Sequence, residues 1–267
     1  MNRGQSTGGK LAGQTAVVTG SGRGIGFAIA QRMLVEGANL VVCDAVEDRL
    51  QEAAAALAGS GDRVCSLVAD LSEEAGAIRL LETATEKFGT VEILVNNAGG
   101  GIIRPFLEHT PETLRETINR NLWTTLWCCR VFLPHMLEQS YGRIVNIGAD
   151  SVHTGINSHA GYNAAKGGVH ALTTGLAFEF SKAGISINTV SPGGVLTPNL
   201  KALFARDPSA EERAKLNEHP AEIMKRVPLG RFAEMEEIAA TVAFLAYPDT
   251  RAITGQSISV NGGQWMM

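Results

Sequence analysis

Seven short apolar runs recur along the chain, and each is hydrophobic enough for both faces of a β-strand to be buried. They are residues 15–19, 39–43, 63–68, 92–96, 143–147, 185–190 and 257–260. Between them lie segments with helical patterning, at 24–36, 47–57, 73–88, 111–139, 161–182 and 234–246. Strands that alternate with helices in this way form right-handed βαβ units. The pattern therefore predicts an α/β fold, a doubly wound, Rossmann-like parallel sheet of about seven strands with helices on both faces.

The length of 267 residues suits a single α/β domain. We predict a flexible tail over residues 1–12, followed by a dinucleotide-binding catalytic domain over residues 13–267. The segment 191–233 is the one long interruption of the pattern and is rich in proline and charge. Long loops in compact domains often act as lids or binding loops. We expect a substrate-covering loop at 195–230, with a plain surface excursion as the alternative.

Composition and charge narrow the class of partner. The formal net charge is -4, with interleaved signs, unlike the basic patch of a nucleic-acid-binding surface. No apolar run approaches the length of a membrane span, and the N-terminus lacks the apolar core of a secretory signal. The four cysteines, at 43, 65, 128 and 129, have no metal-ligand spacing. We expect a cytoplasmic protein that acts on a small molecule, without nucleic acid, membrane or metal.

The sequence TGSGRGIG, residues 19–26, follows the first predicted strand and leads into a helix. Gly20, Gly24 and Gly26 allow a tight turn, close approach of the backbone to a pyrophosphate, and close packing of the helix on the strand. The helix N-terminus adds free N–H donors and a positive dipole. The spacing G-x-x-x-G-x-G differs from the common G-x-G-x-x-G fingerprint, so the prediction of a dinucleotide site depends on the position of the turn.

The choice between NAD and NADP depends on the end of the second strand. Asp44 stands there, where a carboxylate can accept hydrogen bonds from the ribose hydroxyls and would repel a 2′-phosphate. Arg23 favours NADP if its guanidinium meets that phosphate, but it could equally lie over the adenine or in solvent. We predict NAD, with NADP as the alternative. Asp70, after the third strand, either reaches the adenine amino group or caps the next helix.

Tyr162 and Lys166 stand four residues apart in a predicted helix, so they share one face. A nearby ammonium favours the phenolate, and a nicotinamide cation would add to this effect. Lowering the tyrosine pKa from about 10 to about 7 requires roughly 4 kcal/mol. Such a pair can act as a general acid and base at neutral pH, although the same spacing also occurs on solvated helix faces.

Five motifs, in this order, resemble those of the short-chain dehydrogenase/reductase family from about residue 12 to the C-terminus. They are TGSGRGIG, NNAG after the fourth strand, YNAAK, SPGGVLTP and ITGQSISVNGG. The resemblance implies that Tyr162 is the acid and base, that Lys166 holds the nicotinamide ribose and lowers the tyrosine pKa, and that Asn121 anchors a proton-relaying water. It also implies a homotetramer and a cofactor site formed by Gly20, Arg23, Gly24, Ile25, Gly26, Asp44, Asp70, Leu71, Asn97, Ala98, Gly99, Tyr162, Lys166, Pro192, Gly193, Val195 and Thr197.

One position departs from the family pattern. The family usually has a serine that hydrogen-bonds the substrate oxygen, thirteen residues before the tyrosine, and this position is Ala149 here. Ser151 lies in a similar local context, and a loop shorter by two residues would bring it to the same place. We therefore predict that Ser151 is the catalytic serine. The alternative is that Ala149 occupies the site, so that the substrate or Ser158 fills the role.

The motifs look most like those of family members that oxidise cis-dihydrodiols in aromatic breakdown, including diol carboxylates. This resemblance implies NAD-dependent oxidation of a secondary alcohol. Arg104 would pair with a substrate carboxylate, while His153 and His159 would bind hydroxyls in the same cleft. The alternatives are a 3-oxoacyl-thioester reductase or a sugar or steroid alcohol dehydrogenase using NAD(P)H, and a non-catalytic nucleotide-binding regulator.

Overall fold

The strands form one twisted parallel sheet in the computed structural model, which describes residues 9–204, 224–225 and 227–266. Within these ranges the sheet has seven strands, in the order β3-β2-β1-β4-β5-β6-β7. Each predicted strand is present, with ends that differ by no more than two residues. The strands are β1 (Thr15–Thr19), β2 (Asn39–Asp44), β3 (Val64–Val68), β4 (Ile93–Asn96), β5 (Gly142–Ile147), β6 (Ile185–Pro192) and β7 (Ser257–Val260).

Helices cover both faces of this sheet. One hydrophobic core lies between the sheet and α1, α2 and α9, and a second lies between the opposite face and α3, α5 and α7. Neighbouring residues of β1 point to opposite cores, Ala16 and Val18 to the first and Val17 to the second, as the two-residue period of a strand requires. The helices are α1 (Gly24–Val35), α2 (Glu47–Leu57), α3 (Glu74–Phe88), α4 (Pro111–Ile118), α5 (Thr124–Glu138), α6 (Ser151–Thr154), α7 (Ala160–Phe180), α8 (Pro198–Phe204) and α9 (Met235–Ala246).

The strand order confirms the predicted doubly wound fold. From β1 the chain adds β2 and β3 on one side, then returns to add β4 on the other. The order therefore reverses between β1 and β4, and ligands of such sheets bind beyond the carboxyl ends of the strands at this switch point.

The helix predicted over 111–139 is not continuous. A π-helical segment, Asn119–Trp123, separates α4 from α5. The prediction of one regular helix is wrong here. The apolar pattern continues through the segment, but its backbone hydrogen bonds span five residues instead of four. Single π-helical turns inside α-helices often occur at functional sites, and this one carries Asn121.

The predicted N-terminal boundary is also wrong. Leu11, which we assigned to a flexible tail, is fully buried, and its N–H donates to the carbonyl of Glu36 at 2.8 Å. Its side chain belongs to the first core, so the packed domain includes residues 9–12. Residues 1–8 lie outside the described ranges.

The two ends of the predicted substrate-covering loop approach each other. Val195 forms an isolated parallel bridge with Ala233, and α8 follows β6 closely. Residues 205–223 and 226, which make up most of the predicted cover, lie outside the described residues, so the covering role stays a prediction. Among the helices described, none is long and apolar enough to cross a membrane.

Candidate active site

A cleft of about 1300 Å³ lies beyond the carboxyl ends of the central strands. Every residue that the sequence assigned to cofactor binding lines this cleft, as do Ser151 and His159. The cofactor residues lie at or after the ends of β1, β2, β3, β4 and β6, or on α7. The sequence therefore located this cleft correctly, while the binding roles of its residues stay predictions.

The glycine turn after β1 is packed too tightly for side chains. A Cβ atom on Gly20 would stand 2.8 Å from the Cα of Ala98, and one on Gly26 would stand 2.2 Å from the carbonyl oxygen of Gly20. Gly24 has a φ of +60°, which favours glycine. The amide of Asn97 donates to the carbonyls of residues 19 and 20, each at 2.9 Å. The turn is thereby held against β4 with its backbone facing the cleft.

The N-terminus of α1 opens into the same space. No side chain caps this helix, and its first turn has no acidic residue. Gly24, Ile25 and Gly26, which begin the helix, all line the cleft. Free N–H groups and the positive end of the helix dipole favour an anionic phosphate at this point. The turn and the helix therefore fit a dinucleotide pyrophosphate.

Asp44 ends β2 at the rim of the cleft. Its Oδ2 accepts from the N–H of Gly22 at 3.1 Å, and its Oδ1 accepts from the N–H of Val46 at 3.0 Å. Each carboxylate oxygen has a further lone pair available. Arg23 and Arg49 line the same end of the cleft, so a carboxylate and two guanidinium groups surround the space beyond the glycine turn.

Asp70 does not cap the next helix, which was one of the two roles considered for it. Its Oδ1 accepts from both the backbone N–H and the hydroxyl of Ser72, at 2.9 and 2.8 Å, which is a local turn rather than a helix cap, because α3 begins at Glu74. Asp70 also lines the cleft together with Leu71. The carboxylate is thus held in place by Ser72 while it borders the predicted adenine end.

Tyr162 and Lys166 lie one turn apart on α7 and both face the cleft. Lys166 is 4% exposed, and its Nζ donates to the carbonyl of Ile147, the last residue of β5, at 2.7 Å. Burial raises the pKa of Tyr162 to about 12 and lowers the pKa of Lys166 to about 8.

These shifts correct one part of the sequence interpretation. We expected Lys166 to lower the tyrosine pKa, but the dominant effect in this structure is burial, which disfavours the phenolate and the ammonium alike. Tyr162 by itself is therefore a neutral phenol at neutral pH. The pair becomes a base only when further positive charge or hydrogen-bond donors enter the cleft and stabilise the phenolate.

Asn121 lies in the π-helical segment and is fully buried. Its Nδ2 donates to the carbonyl of Gly100 at 3.0 Å and to that of Thr117 at 2.8 Å, while its Oδ1 accepts from the N–H of Gly100 at 3.0 Å. A Cβ on Gly99 would meet Oδ1 at 2.7 Å. The side chain thus fixes the glycine-rich strand end that lines the cleft, rather than lining the cleft itself.

Ala149 and Ser151 both line the cleft after β5. The hydroxyl of Ser151 donates to Oδ1 of Asn163 at 2.6 Å, and Nδ2 of Asn163 donates to the carbonyl of Ser151 at 2.7 Å. Asn163 follows Tyr162 directly in the sequence. Ser151 is therefore anchored beside the tyrosine, with its single O–H directed to an amide oxygen.

The substrate residues predicted from the sequence divide into two groups. His159 lines the cleft, and its ring stands edge-on to that of Tyr162, with the ring centroids 6.1 Å apart. Arg104 and His153 do not line it. The ring of His153 instead packs against that of His170 on a second cavity of about 300 Å³. The predicted placement of Arg104 and His153 in the substrate cleft is therefore wrong. For His153 the cause is the short helix α6, which directs its ring toward His170 on α7.

The C-terminal segment supports the wall of the cleft, which the sequence did not reveal. Asp150 is 3% exposed, and its carboxylate accepts from the hydroxyl of Ser259 at 2.7 Å and from the side-chain amide of Asn261. Gln264 lines the cleft and accepts from the N–H of Gly194 at 3.3 Å. The segment after β7 is thereby bonded to the loops that follow β5 and β6.

Two further residues were missed. The hydroxyl of Thr19 accepts from the N–H groups of Asn97 and Ala98 at 3.0 and 2.9 Å, and Arg49 joins Asp44 at the cleft. Thr19 could have been identified as the last residue of a strand before a glycine turn. Arg49 could not, because its place depends on how α2 packs beside the turn.

Other possible sites are few in the described ranges. No group of three or more histidine, cysteine, aspartate or glutamate side chains there could hold a metal ion. The cysteines are free thiols, and burial raises the pKa of Cys43 and Cys129 to about 12. Thiols with such pKa values are poor nucleophiles at neutral pH.

Comparison with known proteins connects this geometry to established activities. The family model described as short chain dehydrogenase matches residues 14–208. The chain is 52% identical over 258 residues to the 2,3-dihydroxy-2,3-dihydro-p-cumate dehydrogenase of Pseudomonas putida, and the match covers 96% of each chain. It is 35% identical over 252 residues to the 1,6-dihydroxycyclohexa-2,4-diene-1-carboxylate dehydrogenase of Acinetobacter baylyi, with 94% of this chain and 95% of that protein covered.

A similar solved structure is that of an NAD+-bound xylitol dehydrogenase. It superposes with a TM-score of 0.87 at 27% sequence identity, over 95% of this chain and 100% of the other.

Proposed function

Because the chain belongs to the short-chain dehydrogenase family, we propose that it oxidises a cis-dihydrodiol from aromatic breakdown with NAD. Membership makes it an oxidoreductase that transfers hydride between a carbinol carbon and a nicotinamide cofactor. The observation that carries the proposal is the buried Tyr162–Lys166 pair in the cleft. Identity of 52% over nearly the whole chain to a dihydrodiol dehydrogenase supports the choice of substrate class.

The reaction requires the loss of a hydride and a proton from one C–OH group. When bound, the nicotinamide ring accepts the hydride. The phenolate of Tyr162 takes the hydroxyl proton as the C–H bond breaks and the C=O bond forms. The resulting ketone still carries a hydrogen on the neighbouring C–OH carbon, so its tautomerisation completes an aromatic diol.

Lys166 has two tasks in this proposal. Its ammonium, held by the carbonyl of Ile147, binds the ribose hydroxyls of the cofactor. Its charge then favours the phenolate of Tyr162 once the ligands displace water from the cleft. Asn121 maintains the glycine-rich strand end through Gly100 and anchors the predicted proton-relaying water.

Ser151 is proposed to polarise the substrate oxygen. It can do so only if its O–H turns from Asn163 toward the substrate, since a hydroxyl has one proton to donate. The short distance between the two side chains, 2.6 Å, keeps the hydroxyl near Tyr162. Ala149, at the usual family position, can offer no such donor.

NAD is the proposed cofactor because Asp44 stands where the adenosine ribose would lie. Its carboxylate favours free ribose hydroxyls and repels a phosphate. Arg23 and Arg49 have the opposite tendency, but the two carboxylate oxygens are already oriented by backbone N–H groups. The NAD+-bound state of the similar xylitol dehydrogenase agrees with this choice.

A turnover screen tests the proposal. The purified protein is mixed with NAD or NADP and with a cis-dihydrodiol, a cis-dihydrodiol carboxylate, a 3-hydroxyacyl thioester, a sugar alcohol or a hydroxysteroid, and reduced cofactor is followed by absorbance. We expect the highest kcat/KM with NAD and a cis-dihydrodiol, and loss of turnover in Tyr162→Phe. Good turnover on another class, with none on any cis-dihydrodiol, would refute the substrate assignment. No turnover on any substrate would favour a nucleotide-binding regulator.

The oligomeric state and the location of the protein rest on the family resemblance and on the sequence. We propose a homotetramer in the cytoplasm. Light scattering of the purified full chain should give four times its mass of 28.3 kDa. A monomeric mass at micromolar concentration would contradict the tetramer.

A further inference from the structure

His159 occupies a place next to the catalytic tyrosine. It immediately precedes α7, three residues before Tyr162, and lines the cleft. Its ring is inclined by 76° to that of Tyr162, at a centroid distance of 6.1 Å. An edge-on contact of this kind holds both rings in defined orientations. The imidazole and the phenol ring therefore stand side by side on the wall of the cleft.

A backbone hydrogen bond fixes the tautomer of this imidazole. Nδ1 of His159 lies 2.7 Å from the carbonyl oxygen of Asn157. A carbonyl can only accept, so Nδ1 carries the proton, and Nε2 of the neutral ring is an acceptor. Among the residues that the structure describes, none donates to this Nε2. The cleft thus offers an oriented acceptor beside the group that removes the proton of the reacting hydroxyl.

A vicinal diol bound in this cleft needs two acceptors, one for each of its hydroxyl groups. Its reacting hydroxyl gives its proton to Tyr162, and its second hydroxyl keeps its proton and requires a partner when water is excluded. We infer that His159 is a specificity residue, whose Nε2 accepts a hydrogen bond from the second hydroxyl of the diol. No bond to that hydroxyl is broken. This inference rests on the proposed function, because it concerns the same cleft and the same substrate class.

The surroundings of His159 suit the ring that bears such a diol. Ile103 and Ile156 line the same cleft and are 46% and 44% exposed, so each presents apolar surface that a substrate could cover. A Cβ on Gly101 would lie 2.5 Å from the side chain of Ile103 and 3.6 Å from the ring of Tyr162. The apolar wall therefore reaches the tyrosine, with the oxygen-binding groups beside it. This combination fits a flat hydrocarbon ring with adjacent hydroxyls on one edge.

The test compares a diol with the corresponding mono-alcohol. The substrates are the cis-dihydrodiol of benzene and a cyclohexenol with a single allylic hydroxyl, and the quantity is the ratio of their kcat/KM values with NAD. If the mono-alcohol is not turned over, its competitive inhibition constant replaces its kcat/KM. His159→Phe keeps a ring but removes the acceptor, and His159→Gln restores an acceptor on an amide. His153→Gln is the matched control, because His153 lies nearby on α6 but faces the second cavity.

We expect His159→Phe to lower the preference for the diol by about tenfold or more, and His159→Gln to recover part of it. The control should keep the wild-type ratio. An equal loss on both substrates, or an unchanged ratio in His159→Phe, would overturn the inference. If His159→Phe does not fold, as judged by circular dichroism, His159→Ala takes its place with the same expectation. A wild-type protein that oxidises no cis-dihydrodiol would instead refute the proposed function itself.

Discussion

The hydroxyl of Ser151 donates to Oδ1 of Asn163 at 2.6 Å, and the amide of Asn163 returns a hydrogen bond to the carbonyl of Ser151. This reciprocal pair joins the first residue of α6 to the residue after Tyr162. If the hydroxyl turns to the substrate during the reaction, its removal should affect the chemical step. We expect Ser151→Ala to lower kcat by about 10²- to 10³-fold, as loss of an oxyanion-stabilising donor does.

Measuring kcat of Ala149→Ser shows whether position 149 or position 151 can hold the catalytic serine. In a Ser151→Ala background, a serine at 149 should restore part of kcat if the usual family position is geometrically competent. Near-normal turnover of Ser151→Ala alone would show that the serine assignment is wrong. In that case the hydrogen bond to Asn163 serves only to hold α6 in place.

The preference for NAD should depend on Asp44. Replacement by alanine removes the carboxylate that would repel a 2′-phosphate, while Arg23 and Arg49 remain at the cleft. We expect Asp44→Ala to shift the ratio of kcat/KM for NADP over NAD upward by about tenfold or more, which corresponds to roughly 1.4 kcal/mol. The control is Asp48→Ala, which makes the same change of charge nearby, at a residue that does not line the cleft. An unchanged ratio in Asp44→Ala would mean that the arginines do not reach the ribose.

Lys166 should reduce the stability of the protein in the absence of cofactor. Burial lowers its pKa from 10.5 to about 8, so its charged form is disfavoured in the folded state. Below pH 8 the buried ammonium lowers the free energy of unfolding by its full amount, about 3 kcal/mol. This loss of stability disappears as the pH rises from 8 to 10.5. We expect Lys166→Met to be more stable than wild type at neutral pH, with a difference that closes over this range.

Urea unfolding at several pH values measures this difference. Lys182→Met is the control, since Lys182 is exposed and its replacement should leave the pH profile of unfolding unchanged. If the free energy of unfolding had the same pH dependence in wild type and Lys166→Met, the predicted destabilisation by Lys166 would be wrong. A more stable but inactive variant would be a direct exchange of stability for catalysis.

His170 should make the protein sensitive to acid. Burial lowers its pKa from 6.5 to about 4, with smaller contributions from the charges of His153 and Lys166, while Asp150 acts in the opposite direction. Since the folded state resists protonation, stability is lost as the pH falls from 6.5 to 4. We expect thermal unfolding of His170→Asn to depend less on pH over this range. An identical pH dependence in both proteins would show that His170 does not contribute.

The sequence predicted the sheet well because burial on both faces imposes a simple pattern. The runs at 15–19 and 39–43 are apolar at 16–18 and 40–43, and the glycine turn between them has few conformations available. Residues at or directly after the ends of strands, such as Asp44 and Asn97, were therefore located correctly at the cleft. Their positions follow from topology and require no knowledge of side-chain packing.

Other features depend on tertiary contacts that no local pattern encodes. The π-helical segment at Asn119–Trp123 keeps a helical apolar period, so the widening around Asn121 could not be predicted. Arg104 lies on a loop and His153 on the four-residue helix α6. In both places the direction of a side chain depends on neighbours distant in sequence. The raised pKa of Tyr162 has a related origin, because the proximity of Lys166 was predicted but the degree of burial was not.

Ser259 and Asn261 donate hydrogen bonds to Asp150, and Gly194 donates one to Gln264. These bonds affect when the enzyme can fold during its synthesis. Synthesis proceeds from the N-terminus, so the glycine turn and the tyrosine helix leave the ribosome long before residue 264. Until then the carboxylate of Asp150 lacks its partners, and burying it without them would be costly. We expect a ribosome-bound chain that ends before β7 to have a nucleotide cradle but an unfinished catalytic wall, so that activity appears only when the last strand docks.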